Sequence, residues 1–369
     1  MRQLKSILVA TDLLPSQEPV LGTAAHLAGV FGARLTLLHV QEIEKIGIVW
    51  YHKKQMGEVL LEDAAQQLRK RDVIVSDATV TLGAPQEGIL KRATEIDADL
   101  IVIGAGTRSK TGDFQLGPIA QAIIEHAQQP VLTIRQDRPQ PVFQSLLCPI
   151  DHSPVSRRGL LNAIRLAKAL GARLHVLSVI PEVSWFTAAE QSGQITDVQA
   201  AYATQWSEAF HKFLEPISFE GVDATLALRT GRPADEILEA VRQHDADLIV
   251  MGTTGKSGLS RILIGSTTRR VLNRLPCSLL TVKAEDVLDQ DYEAEIHQIH
   301  LLLEEGQAYL DAHNELQAVT KIDAALRLNP YHVAALEARA TVCDRLGEHD
   351  RAARCRRRIK ILQREPVAT

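Results

Sequence analysis

Short apolar runs alternate with stretches of helical periodicity over most of the chain. In the first part the apolar runs predict buried strands near 5–11, 34–40, 74–82, 100–104 and 131–135. Apolar residues at helical spacing predict helices near 18–31, 55–71, 86–97 and 115–127. Regular alternation of strand and helix is typical of a parallel sheet with helices on both faces, so the fold class is α/β.

The pattern occurs twice. Ile101–Gly104 recurs as Ile249–Gly252 at an offset of 148, whereas Gly32–Leu35 recurs as Gly171–Leu174 at an offset of 139. We therefore predict two tandem Rossmann-like domains with five-stranded parallel sheets, copy one at 1–138 and copy two at 143–284. Because the offset grows between these matches, copy two carries extra residues between its second and third strands.

Candidate ligand residues lie where ligands bind in such sheets, at the carboxyl ends of the strands beside the switch in strand order. Asp12 and Asp151 each follow a first strand, and Gly104 and Gly252 each end a fourth strand. The strand at Gly252 continues into Gly252-Thr253-Thr254-Gly255-Lys256, and Gly265-Ser266 follows. Glycines between a strand and a helix allow backbone N–H groups to approach a phosphate.

These spaced glycines resemble the signature of the universal stress protein family, which copy two matches as Gly252-x2-Gly255-x9-Gly265-Ser266. The resemblance covers roughly residues 1–284 and implies an adenine nucleotide alpha hydrolase-like fold with an ATP or ADP site in copy two. The residues that it implies for this site are Asp151, Val179, Gly252, Thr253, Gly255, Lys256, Gly265, Ser266 and Thr267. Of these, Asp151 would lie near the adenine or a bound Mg²⁺, and Val179 would contact the base.

Copy one departs from the signature. Asp12, Gly104 and Gly117 remain, but Thr107 replaces the middle glycine and Pro118 replaces the hydroxyl residue. Pro118 also removes an N–H donor from the expected phosphate cradle. We therefore expect a degenerate second site at Asp12, Gly104, Thr107 and Gly117 that binds nucleotide weakly or not at all.

The C-terminal part, residues 292–365, has helical periodicity throughout and follows an acidic linker at 285–291. It resembles a tetratricopeptide repeat through the spacing of Gly306, Tyr309, Ala318, Ala325 and Pro330. The resemblance implies contact with an unknown protein partner, and we expect the segment to pack on its own domain or on a partner subunit. Its basic end favours a solvated last helix over an acidic partner.

Composition narrows the classes of function. The net charge of −4 gives no electrostatic case for nucleic acid or an anionic membrane, and no apolar run reaches the roughly 18 residues of a membrane span. The four cysteines form no metal-binding or disulfide pattern, which favours the cytoplasm. A buried strand cysteine is the expected state of Cys148.

Three functions remain open: a nucleotide-binding stress or signalling regulator, a slow ATPase or phosphotransferase, and a nucleotide-free interaction scaffold. Phosphoryl transfer needs a base or a residue that orients water, and no such residue is evident beside the loop. The sequence thus favours nucleotide binding with at most weak hydrolysis. We also expect the last strands, 131–135 and 279–283, to form the contact edge of an intramolecular pseudo-dimer, or the chain to form a homodimer.

Overall fold

The chain divides into two compact units. The computed structural model describes residues 4–42, 48–106, 116–137, 142–181, 196–253, 264–283 and 292–363. One unit, the sheet unit, consists of residues 2–176 and 237–288, and the other, the tail unit, consists of residues 177–236 and 289–369.

The elements of copy one follow the predicted order closely. They are β1 (Ser6–Ala10), a 3₁₀ turn (Pro15–Gln17), α1 (Glu18–Phe31), β2 (Arg34–Gln41), α2 (Ile48–Arg69), β3 (Val75–Leu82), α3 (Pro85–Glu95), β4 (Leu100–Gly104), α4 (Pro118–His126) and β5 (Val131–Ile134). Helix α2 begins at Ile48, ahead of the predicted start near 55, because the apolar run Ile48–Tyr51 and the polar run His52–Gln55 show no helical periodicity.

Copy two and the tail complete the chain. Copy two contains β6 (Ser145–Ile150), α5 (Pro154–Leu170), β7 (Arg173–Pro181), α6 (Thr196–Leu214), β8 (Ala224–Gly231), α7 (Pro233–Gln243), β9 (Leu248–Gly252), α8 (Ser266–Arg274) and β10 (Ser278–Val282). The tail contains α9 (Tyr292–Asp311), α10 (Glu315–Leu328), α11 (Val333–Arg345) and α12 (His349–Gln363). The helical tail is therefore as predicted.

Within the sheet unit the strand order is β3-β2-β1-β4-β5-β10-β9-β6-β7, to which β7 contributes residues 173–176, and within the tail unit β8 lies next to the rest of β7. Strand β1 pairs in parallel with both β2 and β4. Because β1 and β4 are adjacent although two strands separate them in the chain, the strand order switches between them. This confirms the predicted position of the switch, with Asp12 after one strand and Gly104 at the end of the other.

The two copies join through their last strands. Strands β5 and β10 pair antiparallel, with Leu132 opposite Leu280. Arg135 Nη1 donates to the carbonyl oxygens of Leu275 (2.9 Å) and Pro276 (2.6 Å), and its counterpart Lys283 donates from Nζ to the carbonyl of Glu125 (2.8 Å). Each copy thus reaches the other with the residue that follows its last strand, which confirms the predicted contact edge and its pseudo-two-fold character.

The tail unit has a core of its own. Leu310, Ala318, Ile322 and Val342 form a buried cluster among α9, α10 and α11. A Cβ at Gly306 would lie 2.9 Å from Ile322 Cγ1, closer than real Cβ atoms approach a side chain. The small residue at 306 therefore lets α9 pack closely against α10.

The tail packs on the extra segment of copy two, where the ends of α6 and α10 exchange hydrogen bonds. Asn329, which is fully buried, donates from Nδ2 to the carbonyls of Leu214 (3.0 Å) and Glu215 (2.8 Å), at the end of α6. In return, the carbonyl of Leu328, at the end of α10, accepts from Phe219 N (2.7 Å) and Ser218 Oγ (2.9 Å). The last carbonyls of a helix have no partner inside the helix, so these contacts replace the water that they would otherwise bind.

The expectation for Cys148 is also confirmed. Cys148 is fully buried in β6, and burial raises the pKa of its thiol, so it behaves as a structural strand residue. In the extra segment of copy two Phe210 is buried, and Trp206 Nε1 donates to Ser178 Oγ at 3.0 Å. Among the residues that the structure describes, no helix combines the length and the apolar character that crossing a membrane requires.

Candidate functional site

The glycine edge of copy two is held by two hydrogen bonds between backbone groups and one from a threonine side chain. Thr253 N donates to the carbonyl of Val282 (3.0 Å), and Gly265 N donates to the carbonyl of Thr253 (2.8 Å). Thr268 Oγ1 donates to the carbonyl of Gly252 (3.0 Å) from the first turn of α8. These bonds fix the end of β9 against the start of α8.

Copy one has the same backbone frame. Ala105 N donates to the carbonyl of Ile134 (2.9 Å), and Gly117 N donates to the carbonyl of Ala105 (2.9 Å). Gly117 has φ −67° and ψ 154°, and Gly265 has φ −59° and ψ 151°. Residues with a side chain adopt such angles readily, so backbone conformation does not require glycine at either position.

The helices that start at these two edges differ. Helix α8 begins with Ser266, Thr267 and Thr268, has Gly265 as N-cap and has no acidic residue in its first turn. Ser266 is exposed and Thr267 is half-buried. Since a glycine N-cap has no side chain to bind the first N–H groups, these donors and the helix dipole are free of a capping side chain and suit an anion. Helix α4 begins with Pro118, which has neither an N–H nor a hydroxyl.

The two aspartates bind the turns that follow their strands. Asp12 Oδ1 accepts from Leu14 N (2.9 Å), and Asp151 Oδ1 accepts from Ser153 N (3.0 Å). The intervening residues Leu13 and His152 have φ 63° and 64°. These are Asx turns, in which the side chain satisfies the backbone two residues on. The N-cap of the helix that follows Asp151 is Ser153, which accepts from Ser156 N.

A cavity of about 270 Å³ opens at the edge of copy one. Its polar lining includes Asp12, His39, Gln17 and Gln136, and its apolar wall includes Leu38 and Ile103; Gly104 and Gly117 also line it. His39 is fixed by its Nδ1, which lies 2.8 Å from the carbonyl oxygen of Thr11. Copy one therefore retains a cavity at the position where its sequence predicts a degenerate site.

Comparison with known proteins assigns the two copies to one family. The model of the universal stress protein family matches residues 3–135 and again residues 143–283, which together make up more than half of the chain. The chain belongs to the universal stress protein family.

Similar universal stress proteins come from distant organisms. Universal stress protein MJ0531 of Methanocaldococcus jannaschii is 35% identical over 142 residues, which are 38% of this chain and 83% of that protein. A universal stress protein of Mycolicibacterium smegmatis is 25% identical over 300 residues, 75% of this chain and 96% of that protein. The crystal structure of PA1789 from Pseudomonas aeruginosa, described as functionally unknown, has a TM-score of 0.59 at 25% identity and covers 79% of this chain and 97% of that one.

The structure brings part of the predicted universal stress protein site together. Gly252, Thr253, Gly265, Ser266 and Thr267 lie in one hydrogen-bonded frame. Val179 is buried in the part of β7 that belongs to the tail unit. Gly255, Lys256 and, in copy one, Thr107 lie outside the described residues.

The predicted Mg²⁺ position at Asp151 does not coincide with a cluster of protein metal ligands among the described residues. Within the described ranges, no three His, Cys, Asp or Glu side chains are grouped as a metal ion would need. Asp151 offers one carboxylate, and Mg²⁺ often takes only one or two carboxylates together with phosphate oxygens and water. Asp151 therefore fits a Mg²⁺ ion that is bound mostly by phosphate oxygens.

Sequence reasoning missed Gln17 and Gln136, which line the cavity of copy one. Gln17 is the counterpart of Ser156 at the offset of 139 that relates Gly32 to Gly171. An alignment of the two copies would have shown this change from a small hydroxyl residue to a long amide. Gln136 gave no such signal, because its counterpart Ala284 follows the last strand, where the sequence pattern ends.

Proposed function

We propose that this universal stress protein binds ATP or ADP in copy two and acts as a stress-response or signalling regulator. The nucleotide is a regulatory ligand, its phosphates lie at the start of α8, and hydrolysis is weak at most. Copy two uses Gly252, Thr253, Gly265, Ser266 and Thr267, together with Gly255 and Lys256 from the segment outside the described residues. Val179 contacts the base in this proposal.

The start of α8 is the observation that carries the proposal. Gly265 is held 2.8 Å from the Thr253 carbonyl and has no side chain, so the first N–H groups of α8 face the edge without a capping side chain. Ser266 and Thr267 add two hydroxyl donors in the same turn. Oriented N–H groups and hydroxyls at a helix N-terminus provide what a phosphate needs, and no acidic residue of that turn opposes it.

A regulatory role is favoured over catalysis by what Asp151 does. Its Oδ1 accepts a hydrogen bond from Ser153 N, so the carboxylate already shapes the turn after β6. A catalytic base for phosphoryl transfer must instead be free to take a proton from the nucleophile. Asp151 therefore serves in this proposal as a positioning residue near the adenine or a phosphate-bound Mg²⁺.

A matched pair of glycine variants tests nucleotide binding. Gly265→Val places a branched side chain at the start of α8, and Gly117→Val does the same at the start of α4. Among the described residues, a Cβ at Gly117 would meet the Cα of Gly106 at 3.7 Å and the carbonyl oxygen of Ala105 at 3.9 Å, so the control tolerates a Cβ. We expect Gly265→Val to weaken ATP binding by roughly tenfold or more, because it removes access to the first N–H groups.

The measurement is isothermal titration with ATP and ADP, together with chromatography of the nucleotide released when washed protein is denatured. Circular dichroism checks the fold of both variants. Unchanged affinity in both variants would contradict the proposed loop, and a loss in Gly117→Val alone would move the nucleotide to copy one. Sustained phosphate release that Asp151→Ala abolishes would favour the ATPase.

The tetratricopeptide-like tail provides protein contact in this proposal. One side of it already packs on the α6 end, while Arg354, Arg357 and Lys360 of α12 are exposed. Arg354→Glu with Arg357→Glu should leave ATP affinity unchanged, and partner capture that is also unchanged would support the solvated last helix that the sequence favours. The expected compartment is the cytoplasm, which suits Cys148, Cys277, Cys343 and Cys355, since no disulfide joins them. Light scattering would separate a homodimer from the intramolecular pseudo-dimer.

A further inference from the structure

The cavity of copy one has an apolar wall that suits a base, and it offers fewer N–H donors, hydroxyls and cations to a phosphate than the predicted site of copy two. Leu38 and Ile103 give it an apolar wall, and Gly104 and Gly117 line it without side chains. Pro118 removes the first N–H of α4. Among the described residues that line the cavity there is no lysine or arginine, whereas the exposed carboxylate of Asp12 faces any anion there.

Gln17 is the polar group that indicates a ligand. Its side chain lines the cavity, the residue is only 6% exposed, and its Oε1 has no hydrogen-bond partner among the described residues. A buried acceptor without a partner is costly, so native structures rarely keep one without a reason. The amide does not cap α1 either, although Gln17 is the N-cap residue.

The corresponding residue of copy two shows the contrast. Ser156 Oγ donates to the carbonyl of Ser153 (3.0 Å) and accepts from Asp151 N (3.3 Å), so its hydroxyl is used inside the turn. Gln17 replaces this short hydroxyl with an amide that extends to Gly104. Its Nε2 lies 3.1 Å, and that of Gln136 lies 2.9 Å, from the point where a Cβ of Gly104 would be. Two neutral amides therefore lie over the glycine that ends β4.

We propose that this cavity is a second binding site, and that it takes an uncharged nucleoside rather than a nucleotide. A hydroxyl or amine of the ligand donates to Gln17 Oε1, and the base packs on the apolar wall. The volume of about 270 Å³ lies below the roughly 300–1,000 Å³ of most ligand pockets, which suits a ligand without a phosphate tail. The choice of a nucleoside rests on the proposed function of copy two, whereas the neutral charge rests on the lining alone.

The test uses the full chain and adenosine, AMP and ATP as probes. With wild-type protein saturated with ATP, so that copy two is occupied, we expect adenosine to bind at one further site and AMP to bind there at least tenfold more weakly than adenosine. Failure of adenosine to bind the ATP-saturated protein, or AMP affinity equal to that of adenosine, would overturn the proposal. Failure of ATP to bind the wild type would reject the proposed function separately.

Gln17→Met is the direct variant, because methionine has a similar length and cannot accept a strong hydrogen bond. We expect adenosine affinity to fall by roughly tenfold, ATP affinity to stay unchanged, and the Tm of the unliganded protein to rise, since an unpaired buried acceptor is removed. Ser156→Ala is the matched variant in copy two and should lower the Tm, because it breaks two hydrogen bonds. Unchanged adenosine binding in Gln17→Met would overturn the role of Gln17, and a lower Tm there would show that its amide is already satisfied.

Discussion

The starts of helices α4 and α8 occupy the same frame and carry different chemistry. Gly117 and Gly265 donate to matching carbonyls at 2.9 and 2.8 Å and have nearly equal backbone angles. After them come Pro118 in one copy and Ser266 in the other. The backbone of this edge is set by strand pairing and is common to both copies, whereas the ligand is selected by a few side chains that can change without disturbing the strands.

The ends of helices α2 and α6 show a second difference between the copies. Helix α2 closes with local backbone bonds and with Asp72 at φ 60°, so copy one needs no other segment there. The end of α6 also closes locally, because Ile217 N donates to the Leu214 carbonyl at 2.9 Å, but it receives two further hydrogen bonds from Asn329 of the tail. The stability of this helix end should therefore depend on the tail.

The largest expected effect on stability comes from a change at Asn329, which donates both hydrogen bonds from the tail to the end of α6. Asn329→Asp places a carboxylate oxygen where an amide nitrogen donated to the carbonyls of Leu214 and Glu215, and we expect a loss of roughly 3 kcal/mol in the free energy of unfolding. Asn314→Asp is the control, because Asn314 caps α10 through its side-chain oxygen and Asp caps equally well. Urea unfolding measures both, and equal costs would reject the asymmetry between α2 and α6.

The next effect compares the two residues that cross the pseudo-two-fold axis. Arg135 donates to two carbonyls and also to Asp137, at 2.7 Å, whereas Lys283 donates to one carbonyl. Burial lowers the pKa of the Lys283 ammonium group, and Glu125 opposes this effect. We expect Arg135→Met to cost about 2 kcal/mol and Lys283→Met about 1 kcal/mol in the free energy of unfolding. A larger loss for Lys283→Met would mean that copy two supplies the stronger contact.

Exchange of Ser266 and Pro118, the first residues of α8 and α4, tests how each helix start affects ATP binding. Proline is well tolerated at the first helical position, so Ser266→Pro should fold while it removes one N–H and one hydroxyl. We expect ATP affinity to fall by roughly tenfold, which corresponds to about 1.4 kcal/mol. Pro118→Ser should not create ATP binding in copy one, because Thr107 still replaces the middle glycine. Titration with ATP checks both, and a gain in Pro118→Ser would show that proline alone closes the first site.

The smallest effect concerns pH and should be specific to the tail unit. Burial lowers the pKa of His332 from 6.5, an effect that nearby His300 increases and that Glu215 opposes. As the pH falls, His332 is protonated at a higher pH in the unfolded chain than in the folded one. The free energy of unfolding should therefore decline as the pH falls below about 6.5, by at most about 1.4 kcal/mol per pH unit.

His332→Asn isolates this group. The Nδ1 atom of His332 accepts from Ala335 N at 3.2 Å, and asparagine preserves an N-cap acceptor without titrating. We expect the pH dependence to flatten in this variant, while His349→Asn, at a side chain that is 80% exposed, should leave it unchanged. Urea unfolding at several pH values measures the slope. An equal slope in the wild type and in His332→Asn would assign the pH dependence to other groups.

Much of the fold was predictable because it depends on local patterns. The apolar run Leu100–Gly104 is typical of a buried strand in a parallel sheet, and Gly32 and Gly171 each end a helix in the left-handed conformation that glycine adopts readily. The glycine frame followed from the repeat. The cavity of copy one could not be predicted from the repeat. Replacement of signature residues by Thr107 and Pro118 does not show how much volume the neighbouring side chains leave open.

The sequence by itself determined the two α/β copies, the helical tail and the loss of the glycine signature in copy one, since each is written in residues that are near one another in the chain. Only the tertiary structure decided that Gln17 lies over Gly104, that Asn329 caps α6 and that Arg135 crosses to α8. These contacts join residues separated by 87, 115 and 140 positions. Their geometry depends on how whole elements pack, which no local periodicity records.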